Sequence, residues 1–214
     1  MTDMKIAGIG DNVIDRYMNM GVMFPGGNAV NVAAHASRLG AVAAYVGSIG
    51  ADREGRIIRD ALTALNVDLS QCIFHEDSTT KKCDVNVYDG ERDYIGADEG
   101  KNWAHTTRIR DCDVDYLRDF DVVHTSCNAK LHEDVHKLQD LQAMVTFDFS
   151  VKDKYRTHEF LELTCPYLEL GQFSCEHMET EAIRELMRKV YGHRQRLRGQ
   201  HPAGAVPPRR QEYV

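Results

Sequence analysis

Residues 26–33, Gly-Gly-Asn-Ala-Val-Asn-Val-Ala, decide how this chain is expected to fold. A glycine pair lets the backbone adopt a positive φ and approach another group closely. The small residues after it predict a helix over 28–39 that ends at Gly40. Apolar segments at 5–10 and 42–49 flank this helix and predict strands. Strand, helix and strand in this order predict a parallel sheet covered by helices.

The same alternation continues to about Tyr191, with one interruption. Asp52 is expected to cap a helix. Further elements are predicted as strands at 121–125 and 143–148 and helices at 131–141 and 179–191. The interruption is a pair of alternating segments around Asp89-Gly90, which is typical of a hairpin. The sequence therefore predicts one α/β domain over 1–192, with a small β lid from about 10–25 and 72–98.

The bulk composition excludes several classes of protein. The net charge is −7, which argues against general binding of nucleic acid. No apolar window is long enough to span a membrane, and the first residues lack the layout of a signal peptide. The six cysteines are scattered without a C-x-x-C pair, which indicates a reduced, cytoplasmic protein.

Residues 193–214 differ from the rest of the chain. They contain five arginines, one glutamate and three of the five prolines, so this tail carries +4 and residues 1–192 carry −11. The composition predicts disorder. Two explanations stand: a basic segment that binds RNA or an acidic lipid surface, and a segment translated out of frame. We favour the second because the composition changes abruptly after a well-formed helical pattern.

Polar residues cluster where a ligand is expected. The amides of Asn28 and Asn31 stand at the start of the predicted helix, where unpaired backbone N–H groups also point outward. Such a set of donors and acceptors suits a neutral ligand with many hydroxyls, such as a sugar. Asp11 and Asp15 follow the first strand, and ligands of open parallel sheets bind at that end. The alternative for both carboxylates is a solvated turn with helix-capping acids.

A second motif points to different chemistry. His132-Glu133-Asp134-Val135-His136 matches the H-E-x-x-H pattern of zinc proteases, and Glu159 or Glu162 stands at a suitable distance for a third ligand. The apolar residues of the same predicted helix occupy its other side, so we expect the histidines on a solvated face. A zinc hydrolase remains an alternative function.

The glycine pair, followed by Asn28 and by Gly40 and Gly50 ten residues apart, resembles the first signature of the ribokinase-like (phosphofructokinase-B type) carbohydrate kinases. The resemblance implies a three-layer α/β sandwich with a largely parallel sheet. It also implies ATP- and Mg²⁺-dependent phosphorylation of a small sugar or fructosamine, and a homodimer formed through the lid. Residues 10–15, 26–33 and 147–150 are most similar to bacterial kinases that act on the 6-hydroxyl of a fructosamine.

Roles for individual residues follow from the resemblance. The implied substrate-binding residues are Asp15, Asp11, Gly26, Gly27 and Asn31. On the phosphate and metal side the matching carboxylates are Asp148 and Glu179, although Ser150 stands where an asparagine is more usual.

The second signature of the family, Gly-Ala-Gly-Asp, is absent from this sequence. In the family its aspartate is the catalytic base and its backbone N–H groups hold the transferred phosphoryl group. We therefore expect a C-terminally truncated kinase that has the substrate side and the lid, has no catalytic residue, and is inactive alone. A non-catalytic sugar-binding protein is the alternative.

Overall fold

A computed structural model describes residues 3–101 and 108–198 of the chain. In chain order the helices and strands are β1 (Lys5–Ile9), β2 (Val13–Tyr17), β3 (Val22–Gly26), α1 (Asn28–Arg38), β4 (Val42–Val46), β5 (Ser48–Gly50), α2 (Arg53–Ala64), β6 (Ile73–His75), β7 (Lys82–Tyr88), β8 (Glu91–Asp98), α3 (Asp111–Leu117), β9 (Val122–Ser126), β10 (Met144–Asp148), α4 (His158–Thr164), β11 (Leu170–Gln172) and α5 (Thr180–Arg198). Among these helices, none is long and apolar enough to cross a membrane.

The central sheet is parallel, as the alternating pattern predicts. Within the described residues its order is β11-β10-β9-β1-β4, and every neighbouring pair is parallel. Alternate residues of β4 face opposite sides of the sheet. Ala43 and Tyr45 belong to the hydrophobic core that contains residues of α1 and α2. Ala44 and Val46 belong to the core on the other side, which contains Leu161 of α4. Because each face of the sheet buries an apolar layer against helices, the domain is a three-layer α/β sandwich.

A second sheet forms the predicted lid. Its order is β3-β2-β7-β8, and β7 and β8 make the expected hairpin. Asp89 and Gly90 in the turn both have positive φ, which matches the right-handed twist of a two-residue hairpin. The lid is smaller than the predicted range 72–98, because β6 pairs with β5 instead and makes a separate two-stranded sheet. We use "lid" below for the sheet β3-β2-β7-β8.

The helix predicted over 131–141 is wrong. Only Val135–Leu138 turn helically, as a short 3₁₀ segment. The buried carboxylate of Asp134 explains the difference, since it accepts the backbone N–H of Ile109 at 3.1 Å and pairs with Arg108 at 2.9 Å. These tertiary bonds hold the segment in turns, and its apolar residues still reach the core without a helix.

The other differences are smaller. The strand predicted over 42–49 is divided into β4 and β5. The elements α3, α4 and β11 were not predicted. The helix predicted over 179–191 is α5, which continues to Arg198. Residues 193–198 of the predicted disordered tail are therefore helical, in keeping with the good helix propensity of arginine and leucine. The rest of that tail, 199–214, lies outside the described residues.

Candidate functional site

The backbone at the glycine pair passes close to two acidic residues, Asp11 and Asp15. Gly27 has φ of 106°, and a Cβ there would lie 2.7 Å from the backbone oxygen of Asp11. Gly26 is buried, and a Cβ there would lie 2.8 Å from Oδ2 of Asp15. A side chain at 27 would collide with the backbone of Asp11, so that position requires glycine, whereas a methyl group at 26 would press on the side chains of Asp15 and Val13. We call Asp15, Gly26 and Gly27 the glycine-pair site.

Asp11 caps α1 from outside the helix. Its Oδ2 accepts the backbone N–H of Asn28 at 2.9 Å, and its Oδ1 accepts the hydroxyl of Ser126 at 2.9 Å. The cap residue Gly27 has no side chain to perform this task. Asp11 therefore joins the start of α1 to the end of β9 and stabilises the positive end of the helix dipole. One of the helix N–H groups that we expected to face a ligand is occupied by this bond.

Asn28 continues the network to the next strand. Its Nδ2 donates to Oδ2 of Asp148 at the end of β10, and Oδ1 of Asp148 accepts the backbone N–H of Ser150 at 2.7 Å. Ser150 has φ of 59°, a left-handed conformation that asparagine tolerates better than serine. The Asn28 side chain thus holds the start of α1 against the end of β10.

Asp15 lies on β2 beside the glycine pair. Its side chain is 18% exposed, and its Oδ2 accepts a hydrogen bond from Nη2 of Arg92 at 2.9 Å. Arg92 belongs to β8 and its guanidinium lies 5.5 Å from the centre of the Tyr17 ring. This partner was not predicted, because the two residues are far apart in the chain and Arg92 belongs to a polar strand with no recognisable motif.

The remaining predicted site residues are more peripheral. Asn31 is exposed on the first turn of α1, and its backbone N–H donates to the oxygen of Gly27 at 2.8 Å. Glu179 is exposed just before α5, where its carbonyl accepts from Ile183. No hydrogen bond or ion pair among the described residues joins Glu179 to Asp148. The structure therefore places Asn31 next to the glycine-pair site through its bond to Gly27.

Burial favours the uncharged forms of two side chains near Asp11 and Asp148, those of His124 and Cys127. Desolvation lowers the pKa of His124, whose Nδ1 lies 2.8 Å from the hydroxyl of Thr146. Burial likewise raises the pKa of Cys127 to about 12, with Asp148 adding to the effect. At neutral pH this region thus offers neither a thiolate nor a charged imidazole.

The lid is fastened to the domain by Asp52. As predicted, Asp52 caps α2 by accepting the N–H of Gly55 at 2.9 Å. It also accepts the backbone N–H and the hydroxyl of Thr80, at 2.9 and 2.7 Å, just before β7. Burial alone would raise the pKa of Asp52, but the bonds from Thr80 and Gly55 outweigh it and lower the pKa. The bonds to Thr80 were not predicted, since a cap is a local signal and the lid contact is not.

This geometry does not support the zinc-hydrolase alternative. The H-E-x-x-H residues are not on an α-helix, so His132 and His136 do not share the face that metal ligation needs. The His132 ring packs 5.2 Å from that of Phe160, and His136 Nδ1 lies 2.8 Å from the carbonyl of Glu133. Within the described ranges, no group of three or more His, Cys, Asp or Glu residues is placed to hold a metal ion.

These features define a ribokinase-like α/β protein with a polar site at the carboxyl ends of its parallel strands. The pfkB family carbohydrate kinases match residues 9–155, so the chain belongs to that family. Solved structures agree on the fold: fructokinase from Xylella fastidiosa superposes with a TM-score of 0.70 at 18% identity, over 89% of this chain and 67% of that one. The same enzyme with bound ATP gives a TM-score of 0.69.

Two curated relatives are kinases of modified sugars. Fructosamine kinase FrlD of Bacillus subtilis (strain 168) is 30% identical over 198 residues, which are 89% of this chain and 66% of the relative. Fructoselysine 6-kinase of Escherichia coli (strain K12) is 28% identical over 185 residues, 86% of this chain and 68% of the relative. The chain thus spans about two thirds of the length of these relatives.

Proposed function

We propose that this chain binds a fructosamine at Asp15, Gly26, Gly27 and Asn31, as the substrate-binding part of a carbohydrate kinase. The observation that carries the proposal is the packing of the Asp15 carboxylate against Gly26, at a glycine pair whose second position requires glycine. The names of the relatives, fructosamine kinase and fructoselysine 6-kinase, support the substrate class.

The chemistry of these residues suits a sugar. A carboxylate accepts hydrogen bonds from two neighbouring hydroxyls, and an exposed asparagine amide offers both a donor and an acceptor. The glycine pair lets the ligand approach the backbone without meeting a side chain. Asp11 has both oxygens bonded within the chain, and we propose that it positions the start of α1 without contacting the sugar.

The residues present do not fit the nucleotide side of a kinase. Asp148 accepts hydrogen bonds on both oxygens, from Asn28 and Ser150, and no group of three or more His, Cys, Asp or Glu residues in the described part of the chain is placed to hold a metal ion. The sequence also contains no Gly-Ala-Gly-Asp to supply a base. A base alone contributes about 10²–10⁴-fold to a proton-transfer step. We therefore propose that the 214-residue chain, on its own, binds the sugar and does not transfer phosphate from ATP with Mg²⁺.

Calorimetry with fructoselysine, with and without ATP–Mg²⁺, tests both parts. We expect sugar binding that does not depend on nucleotide, loss of that binding in Asp15→Asn, and no ATP consumption above background in a coupled assay. Absence of binding to the wild type would refute the sugar site. Binding accompanied by turnover of ATP would leave the sugar site standing and refute the inactivity of this chain. Binding without turnover fits equally a non-catalytic sugar-binding protein.

We also propose that the lid mediates a homodimer in the cytoplasm. Several of its large apolar side chains are 50% exposed or more, and they are Met18, Met20, Phe24, Tyr88, Tyr94 and Ile95. Exposed large apolar side chains in such number favour association. Sedimentation of the wild type beside Phe24→Ser is the measurement, with a shift to monomer expected in the variant. A wild type that sediments as a monomer at all concentrations would contradict the proposal.

A further inference from the structure

Tyr45 of β4 places its hydroxyl against the turn that joins β1 to β2. The side chain is completely buried, and its hydroxyl donates to the carbonyl of Gly10 at 2.8 Å and accepts from Nδ2 of Asn12 at 2.8 Å. The same Nδ2 of Asn12 also donates to the carbonyl of Ser48, at 2.7 Å. Burial raises the pKa of Tyr45 well above its ordinary value, so the hydroxyl keeps its proton and can donate. These three hydrogen bonds join the turn to β4 and to the start of β5.

Packing alone does not explain this hydroxyl. Phenylalanine would fill nearly the same volume in the core without burying a polar group, which costs free energy unless the group is hydrogen-bonded. The chain also keeps space for the hydroxyl at Gly47, where a Cβ would lie 2.2 Å from the hydroxyl oxygen of Tyr45 and 2.8 Å from the carbonyl oxygen of Gly10. The absence of a side chain at 47 therefore lets the hydroxyl reach the turn.

The turn that Tyr45 holds also supports the proposed sugar site. Asp11 lies between the two residues of the turn that bond to Tyr45, and its carboxylate caps α1. A Cβ at Gly27 would lie 2.7 Å from the backbone oxygen of Asp11, so the glycine pair packs directly on this turn. The strand β2 follows the turn and carries Asp15 as its third residue. The position of residues 10–12 therefore sets both the start of α1 and the strand of Asp15.

We propose that the Tyr45 hydroxyl is a positioning group of the sugar site, which holds residues 10–12 in the geometry that sets Asp15 beside the glycine pair. The inference rests on the proposed sugar site at Asp15 and adds a residue that organises this site before the ligand binds. A buried network whose polar groups are all hydrogen-bonded is rigid, so the turn keeps one geometry. When the binding geometry is only partly populated, the apparent affinity falls by the populated fraction. Loss of the hydroxyl should therefore weaken sugar binding, although Tyr45 lies in the core and does not contact the ligand.

Calorimetry with fructoselysine and hydrogen exchange of the free protein test the inference in Tyr45→Phe, which keeps the ring and removes the hydroxyl. We expect the dissociation constant to rise roughly 5–30-fold, since the carbonyl of Gly10 and the amide of Asn12 each lose a partner. The amides of residues 10–14 should exchange faster, because the turn opens more often. Asn12→Ala should also weaken binding. The double variant should weaken it by less than the product of the two single effects, since both residues act through one chain of hydrogen bonds.

Thr164→Val is the control, because it also removes a buried hydroxyl that donates to a backbone carbonyl, that of Phe160 at 2.8 Å. Thr164 belongs to α4, on the other side of the sheet from α1, so the variant should keep the dissociation constant within about threefold and leave exchange at 10–14 unchanged. Wild-type affinity in a folded Tyr45→Phe, or an equal loss in Thr164→Val, would overturn the positioning role and leave the sugar site intact. If Tyr45→Phe does not fold, Asn12→Ala decides by the same comparison. Failure of the wild type to bind fructoselysine would overturn the sugar site and this inference together.

Discussion

Asp11 and Asp15 are close in sequence, and the structure predicts opposite consequences when each is changed to asparagine. Asp11 accepts the N–H of Asn28 and the hydroxyl of Ser126. An asparagine at 11 has one acceptor oxygen, and its NH₂ group meets a donor on the other side. The loss of the helix cap costs about 1 kcal/mol. The lost bond to the hydroxyl costs about 1 kcal/mol more.

The sum, about 2 kcal/mol, corresponds to a fall in melting temperature of about 4–8 °C for a domain of this size. Asp15→Asn removes one ion pair, whose Arg92 partner is half-exposed, so the stability should change by about 1 kcal/mol or less. Sugar affinity should show the reverse order. Asp15→Asn should lose the ligand, whereas Asp11→Asn, measured well below its melting temperature, should keep the dissociation constant within about threefold, equivalent to less than 0.7 kcal/mol.

Thermal melts by circular dichroism and calorimetry with fructoselysine measure the two quantities. Ser126→Ala is the control, since it removes one of the two bonds to Asp11 and leaves the cap of α1 in place; it also removes the weaker bond, at 3.2 Å, that Ser126 accepts from the N–H of Asn128. It should lower stability by about 1 kcal/mol and preserve binding. If Asp11→Asn melts like the wild type and loses the sugar, Asp11 is a ligand contact and the positioning role is refuted.

Three further predictions concern the framework of the site. Because the pKa of Asp52 is lowered in the folded protein, its contribution to stability is present above its ordinary pKa and is lost as pH falls through the folded value. The difference in melting temperature between wild type and Asp52→Asn should therefore shrink below about pH 4, and a constant difference would contradict the bonds from Thr80. Gly27→Ala should lower the unfolding free energy by about 1–3 kcal/mol or more, since it adds strain at φ of 106° and a clash; a neutral effect in urea unfolding would contradict the close packing. Ser150→Asn should raise it by up to about 1 kcal/mol in the same assay, because asparagine accepts a left-handed backbone, and a loss would show that the serine hydroxyl has another role.

The parts of the fold that were predicted correctly are those with local signals. The strands β1, β9 and β10, the helix α1 and the hairpin turn at Asp89-Gly90 each carry their own periodicity or turn chemistry. The helix expected over 131–141 failed because its apolar spacing fits a helix and a series of buried turns equally well. Asp134 decides between them through bonds to Arg108 and Ile109, which no local pattern reveals.

The residues of the candidate site likewise divide into those that a local sequence signal predicts and those that it does not. The family signature predicted Gly26, Gly27 and Asp15 as substrate-binding residues, and the structure shows that the three lie together, which neighbouring segments of the chain suffice to arrange. It also marked Asp11 and Asn28, but as candidates for ligand contact. The structure shows that the polar side-chain groups of both residues form hydrogen bonds within the chain, and these bonds hold α1 against β9 and β10. A polar residue at the end of a strand has the same sequence signal whether it serves the ligand or the framework, so only its partners separate the two roles.

Arg92 represents the part of the site that a signature does not contain. The hydrogen bonds around α1 join residues near the ends of β1, β9 and β10. A pfkB chain that binds a sugar beside α1 needs these bonds to position the helix. The lid is attached at separate points, through the chain segments that lead from β1 into β2 and from β3 into α1, and through Asp52 and Thr80. A substitution in β8 can therefore change the group facing Asp15 without disturbing the glycine pair. We therefore expect exchange of the residue at 92 to change the group that faces Asp15 while the contacts of Gly26 and Gly27 with Asp15 and Asp11 remain.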